Sequence, residues 1–279
     1  MPLPSDFQFS QSSLQNYVSC PRRFELLYIL KINYPAPVSE PVLEYEQHIE
    51  RGRIFHQMVH QHLIGLPPDT LSSMELDPIL SEWWQNYLKA APTTQMPLKR
   101  CAEFSLSTTL SGWRVTARYD LLAVEPRNKA IIVDWKTSIT RPKADVLKTR
   151  IQTRLYPLIL VEAGKTLNEG YPFAPEQIEL QYWYPAFPNH PQHFRYGPEQ
   201  YTKDRGYIQN LIAEIANTPE NGFPLTSNTK LCQFCMYRSL CKRGSTAGDW
   251  TEMQSSYEAE DFSVPEFQLD FEQLQEIEF

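Results

Sequence analysis

The sequence predicts an α/β protein, with one central sheet and helices packed against it. Three observations carry that expectation. Apolar residues recur at helical spacing from Leu14 to Tyr87. Between Cys101 and Lys136 the period changes from 3.6 to 2. Helix-like and strand-like segments then alternate, which sets helices on a sheet rather than in a separate bundle.

Each element follows from its local pattern. Ser12 or Ser13 offers an N-cap for a first helix carrying Leu14, Tyr17, Val18, Phe24, Leu27 and Tyr28. Pro21 divides that run into two short helices or one bent one. A Pro-rich link leads to a long helix over Leu43–Leu63, with an apolar stripe through Ile49, Phe55, Val59 and Leu63. Pro67 and Pro68 end it, and a further helix over Pro78–Lys89 carries Trp83, Trp84 and Tyr87. Cys101–Thr108, Trp113–Val124 and Ala130–Lys136 alternate as strands. Their short, turn-rich links make them antiparallel neighbours. A helix over Ala144–Ala163, a strand over Gln177–Tyr184, a short strand at His193–Tyr196 and a helix over Gln200–Ala216 complete the order.

Charge divides the chain unevenly. The 26 Lys and Arg stand against 33 Asp and Glu, a net of −7, which taken whole disfavours a polyanionic partner. Yet no Lys or Arg follows Arg243, and 10 of the acids do. Residues 1–243 therefore carry a net +3 and read as one domain. Residues 244–279 read as an acidic, aromatic-dotted and unstructured tail. No apolar run approaches the ~18 residues of a membrane span. The opening residues lack a basic and then apolar leader, so the expected compartment is the reducing cytoplasm. Five cysteines there suit metal ligation or core filling better than disulfides.

Two groups of residues carry chemistry. In the first, Asp134 and Lys136 share one face of a strand while Trp135 points to the other. If this strand pairs with the preceding one through the 126–129 turn, Asp120 approaches Asp134. Two carboxylates in one cleft repel and call for a divalent cation. Hard oxygen ligands favour Mg²⁺ or Mn²⁺, and an adjacent lysine suits the orientation of a water and the stabilisation of a crowded phosphate. His56 lies on the long helix one turn before His60, and an H-x₃-H pair can face a metal. Glu103, on the first long strand, is a possible third acid. Gln152 and Tyr156 share a face of the following helix.

The second group is Cys232, Cys235 and Cys241, spaced C-x₂-C-x₅-C. A fourth ligand is needed. Cys101 opens a strand and reads as a core thiol, so Cys20, at a helix break, is the choice. All-thiolate ligation suits zinc or an iron–sulfur cluster. Such a site would join the two ends of the body. Arg22, Arg23, Arg238, Lys242 and Arg243 crowd it as a basic collar that could meet a phosphate backbone.

Taken in order, these segments resemble the RecB-like branch of the PD-(D/E)XK nucleases, in particular the iron–sulfur exonucleases that include CRISPR-associated RecB-like and AddB-type domains. The resemblance runs over about residues 10–243. It rests on Cys20-Pro-Arg-Arg-Phe24, Gly52-Arg-Ile-Phe-His56, Arg118-Tyr-Asp120, Asp134-Trp-Lys136, Gln152-Thr-Arg-Leu-Tyr156 and the terminal cysteine triad. It implies a restriction-endonuclease-like mixed sheet flanked by helices, with N- and C-terminal segments joined at a four-cysteine cluster. It implies Mg²⁺ or Mn²⁺ on Asp120, Asp134, His56 and the Trp135 carbonyl, and Lys136 positioning water. Gln152 and Tyr156 would contact DNA or brace the site. Cys20, Cys232, Cys235 and Cys241 would hold a [4Fe–4S] cluster, with zinc as the alternative. The implied activity is a DNA exonuclease on single strands or ends, in repair, recombination or CRISPR-type processing. The other reading is a non-catalytic DNA-binding subunit of a helicase–nuclease complex. No G-x₄-G-K-[ST] pattern occurs, so a helicase motor or a CRISPR-adaptation protein would be a separate partner.

Overall fold

The computed structural model describes residues 3–32, 41–97, 99–138, 140–220, 222–233 and 235–244. All of the acidic segment after Gly244 lies outside them. Among the described residues, no helix is long and apolar enough to cross a membrane.

The chain opens with a short strand that the sequence pattern does not announce, β1 (Gln8–Ser10). Three residues are too few to show a period. Ser10, rather than Ser12 or Ser13, caps helix α1 (Gln11–Ser19). Its hydroxyl accepts the Ser13 N–H, and the Ser13 hydroxyl accepts the Ser10 N–H at 2.9 Å. Cys20 is extended and ends α1; Pro21 then starts α2 (Pro21–Phe24), which widens into a π turn over Glu25–Ile29. The break expected at Pro21 is therefore present. Helix α3 (Pro41–Leu63) is followed by a short α4 (Pro68–Ser72), then by α5 (Pro78–Ala90), whose first N–H groups bond Asp77.

Three long strands follow: β2 (Lys99–Leu110), β3 (Trp113–Glu125) and β4 (Lys129–Trp135). Both pairings are antiparallel, as the turns require. The single helix expected over residues 144–163 is two helices, α6 (Ala144–Thr149) and α7 (Ile151–Ala163). Arg150 is extended at ψ 142°. The break is stabilised by side chains: the Ile151 N–H donates to Gln15, and the Thr153 hydroxyl donates to the Leu147 carbonyl. Apolar residues continue across the break and hide it. Helix α7 runs on through Pro157 to Ala163. Strands β5 (Ile178–Trp183) and β6 (Gln192–Arg195) and helices α8 (Pro198–Asn217) and α9 (Thr229–Gln233) complete the body.

The six strands form one mixed sheet. β2 pairs with β3 along nearly its whole length, so β1 and β4 share the other edge of β3. β1–β3 and β4–β5 are parallel; the other pairs are antiparallel. One core lies between the sheet and α1, α7 and α8, through Leu14, Tyr119, Leu155, Leu158 and Ile212. The other lies under α3 and α5, through Phe55, Trp83, Trp84, Trp135 and Trp183. The result is a sheet covered on both faces, as the α/β pattern predicts.

β1 is short but anchored. Phe9 is fully buried and meets Phe7 and Trp113 edge-on. Phe9→Ala is expected to lower the unfolding free energy by about 3–5 kcal/mol, read from urea denaturation; a loss below about 1 kcal/mol would show that β1 does not contribute to the cooperative core.

Candidate active site

A gap in the sheet makes the site. On one edge, β3 borders β1 at Arg114–Thr116 and β4 from Leu121 onward. Residues 117–120 have no strand partner on that edge among the described residues. Asp120 sits at the end of the gap, and its Oδ2 accepts the Trp135 N–H at 2.8 Å.

Both long strands also change phase here. On β3, Val115, Ala117 and Tyr119 face the first core, but so do Leu122 and Val124. Leu121 and Ala123 face the second core. On β2, Phe104 and Cys101 pack against the first core although they are three residues apart. The flip falls on Asp120 and Glu103. The ladder pairs Ala102 with Leu121 and Phe104 with Tyr119, which puts these two acids opposite each other. Glu103 has φ +50°, a left-handed conformation that costs a non-glycine residue about 1 kcal/mol or more. The matched kink turns both carboxylates out of the regular pleat. One step beyond the Leu121–Val133 pair, Asp134 lies opposite Asp120. Glu103, Asp120 and Asp134 thus form a row across three strands.

The row is met by helices from both faces. From α7, the Gln152 amide donates to Asp134 Oδ1 and its carbonyl accepts Lys136 Nζ at 2.8 Å. Lys136 Nζ also lies 2.9 Å from Asp134 Oδ2. These three side chains close a ring in which Asp134 is 4% exposed. Tyr182 supports the ring from β5: its ring lies 5.4 Å below Lys136 Nζ, and its hydroxyl is 2.8 Å from Thr153 Oγ1. Tyr156 is buried next to Gln152. Burial, and then the charges of Asp134 and Asp120, hold its phenol well above the ordinary range, so it stays a proton donor.

From α3, His56 Nδ1 lies 3.6 Å from Asp120 Oδ2. One ligand atom each from His56, Glu103 and Asp120 lie within 4.8 Å of one another. Glu103, rather than His60, completes this group. Glu103 Oε2 also accepts Arg118 Nε at 2.8 Å. Asp134 is not in the group; its oxygens meet Gln152 and Lys136. Trp135 meets the site through its amide N–H. The close approach of α3 depends on Gly52, where an added Cβ would lie 2.8 Å from Thr137 Oγ1. Thr137, Thr153 and Tyr182 are site supports that sequence reasoning missed. Gly52 carried a readable signal, since a glycine inside a helix costs about 1 kcal/mol and calls for a packing reason.

Four of the five cysteines gather at one cavity. Cys20, Cys232, Cys235 and Cys241 line one cavity with Leu26, Tyr237 and two arginines. Cys101 packs against the first core instead, as expected. Burial raises the thiols of Cys232, Cys235 and Cys241, with nearby arginines opposing it. The basic collar needs correction. Arg23 and Arg238 are 5% and 4% exposed and line the cavity wall, so they do not offer a surface to phosphate. Arg22 pairs with Glu25, which leaves Lys242 and Arg243 as the exposed members.

The model of the PD-(D/E)XK nuclease superfamily matches residues 8–242. The chain belongs to that superfamily. A candidate exonuclease from Eubacterium rectale has a similar fold, with a TM-score of 0.50 at 9% identity, over 79% of this chain and 84% of that one. The solved protein SSO0001 is matched at a TM-score of 0.41 and 15% identity, over 84% and 85%. No curated protein matches the sequence.

The crowding of carboxylates has a measurable consequence. Burial pushes Asp120 up to about 7; the charges of Asp134 and Glu103 add to this, while His56 and the Trp135 N–H oppose it. An unfolded Asp titrates near ~3.9, so between about pH 4 and pH 7 the folded state holds the extra proton. Stability therefore falls as pH rises through that window. Asp120→Asn keeps an acceptor for the Trp135 N–H and removes the titration. In EDTA it is expected to raise Tm by a few degrees at pH 8 and by clearly less at pH 5. An equal gain at both values would contradict this origin.

Proposed function

We propose that the chain is a metal-dependent DNA nuclease, an exonuclease acting on single strands or ends. The observation that carries this reading is the closed ring of Asp134, Lys136 and Gln152 beside Asp120, in a chain of the PD-(D/E)XK superfamily. Superfamily members use divalent metals. The donor set fits one: His56, Glu103 and Asp120 converge, and their carboxylates repel without a cation. In this reading Asp120, Glu103 and His56 hold Mg²⁺ or Mn²⁺, with Asp134 and the Trp135 carbonyl drawn in as ligands. The bound ion supplies Lewis-acid polarisation of the phosphate and of a water.

The chain's own groups do the rest. Lys136 orients the water whose oxygen bonds to phosphorus, and its ammonium offsets charge on the phosphoryl oxygens as the ester oxygen leaves. Gln152 fixes the lysine by accepting from Nζ. Tyr156, kept protonated, donates within the site or to the strand.

The test uses end-labelled linear and circular DNA, single- and double-stranded, with Mg²⁺ or Mn²⁺. Release from linear ends with circles spared is expected. Asp134→Asn keeps an acceptor for Gln152 and should fold, yet lose activity by a factor on the order of 10² or more. No cleavage of any DNA form would overturn the reading.

We also propose that Cys20, Cys232, Cys235 and Cys241, which line one cavity, hold a [4Fe–4S] cluster as in the RecB-like branch, with zinc as the alternative. Arg23 and Arg238 beside the thiols offset the charge of a thiolate-ligated centre. Protein purified without oxygen is expected to be brown, with about four iron atoms per chain. A colourless protein with one zinc would replace the cluster by the zinc alternative.

A further inference from the structure

The β2–β3 hairpin continues past the acidic row. On its face away from the first core, Ser105, Ser107 and Thr109 of β2 pair with Arg118, Thr116 and Arg114 of β3. Ser105, Thr109, Arg114 and Arg118 are exposed. Beyond Glu103 this face carries no carboxylate, in a chain whose net charge is −7. Arg118 reaches Glu103 through Nε yet keeps its side chain 56% exposed. Arg114 lies four residues further on, about 14 Å along the strand. It makes no ion pair among the described residues. The face is therefore a narrow row of hydroxyl donors and two guanidinium groups, and one end of it is bonded to the metal-binding row.

We propose that this hairpin face is the track that holds the phosphodiester backbone of one DNA strand leading to Asp120 and Asp134. Hydroxyls and arginines are the side chains that position a backbone without reading sequence. The face is two β-strands wide, which suits a single strand better than a duplex. Among the described residues Arg118 pairs with Glu103 while no ion pair includes Arg114, so a polyanion can supply a partner for Arg114. The proposal rests on the nuclease reading for what happens at the end of the track, but not for binding.

The experiment uses the full chain and a fluorescent 20-nucleotide oligothymidylate in EDTA, followed by anisotropy over a range of salt. Arg114→Glu is expected to weaken binding about tenfold or more and to reduce the slope of log affinity on log salt by ~0.7–1. Lys203→Glu, on α8 and outside the track, is the charge-reversal control and should leave both unchanged. With Mg²⁺ or Mn²⁺ added, the Arg114→Glu loss should be larger on the oligonucleotide than on bis(4-nitrophenyl) phosphate, which is too short to reach Arg114. If no diester is cleaved, the nuclease reading fails while the anisotropy result still decides the track. Unchanged affinity and slope in Arg114→Glu and in Arg114→Glu with Thr109→Glu overturn it. So does a loss of binding confined to a poly-glutamate peptide, which would make the face a protein contact.

Discussion

Repulsion among three carboxylates is the constraint around which the site is built. Glu103, Asp120 and Asp134 lie in one row across adjacent strands, where a regular antiparallel ladder would set side chains directly opposite one another. The protein manages that row in two ways. A matched phase flip in β2 and β3 turns Glu103 and Asp120 out of the pleat, at the cost of a left-handed Glu103. Donors then converge: the Trp135 N–H on Asp120, Arg118 on Glu103, and Gln152 with Lys136 on Asp134, with His56 3.6 Å from Asp120. What remains is a proton affinity at Asp120 near neutrality, which a divalent cation can replace.

That arrangement needs helices on both faces. The ring around Asp134 belongs to α7, and its geometry depends on where α7 begins. The extended Arg150 resets the helix so that Gln152 and Tyr156 face the end of β4. His56 comes from α3 on the opposite face, and Gly52 lets that helix close on Thr137 just past the strand. The gap along β3 joins the two sides. Had β4 run further, its backbone would have occupied the edge that Asp120 now uses.

The alternating strands, the antiparallel turns and the Asp-x-Lys face were legible because each is a local pattern of two or more repeats. Asp120 was legible as a partner of Asp134 for the same reason, since a four-residue turn fixes the register. Other features were not. β1 is too short to show a period. The break at Arg150 is carried by side-chain bonds from Gln15 and Thr153, which no local pattern reveals. The role of Glu103 depends on a backbone kink shared by two strands. The C-x₂-C-x₅-C spacing was readable, but burial of Arg23 and Arg238 was not, because charge in sequence does not say which side of a cavity wall an arginine occupies.

The two ends of the body meet through more than cysteines. The Arg22 N–H bonds the Pro224 carbonyl, Tyr17 bonds Glu214, the Tyr237 hydroxyl reaches the Ile32 carbonyl, and Phe24 stacks on Phe223. These contacts close a long loop of chain without any metal, and so would lower the entropy that the proposed ligation must overcome. Net charge is a poor guide to what such a chain binds. Ten of the acids follow Arg243 in the sequence, while the face of the β2–β3 hairpin carries arginines and hydroxyls without a carboxylate beyond Glu103. Over distances beyond the ~8–10 Å screening length, a strand approaching that face responds to the charges lining it rather than to the chain's sum.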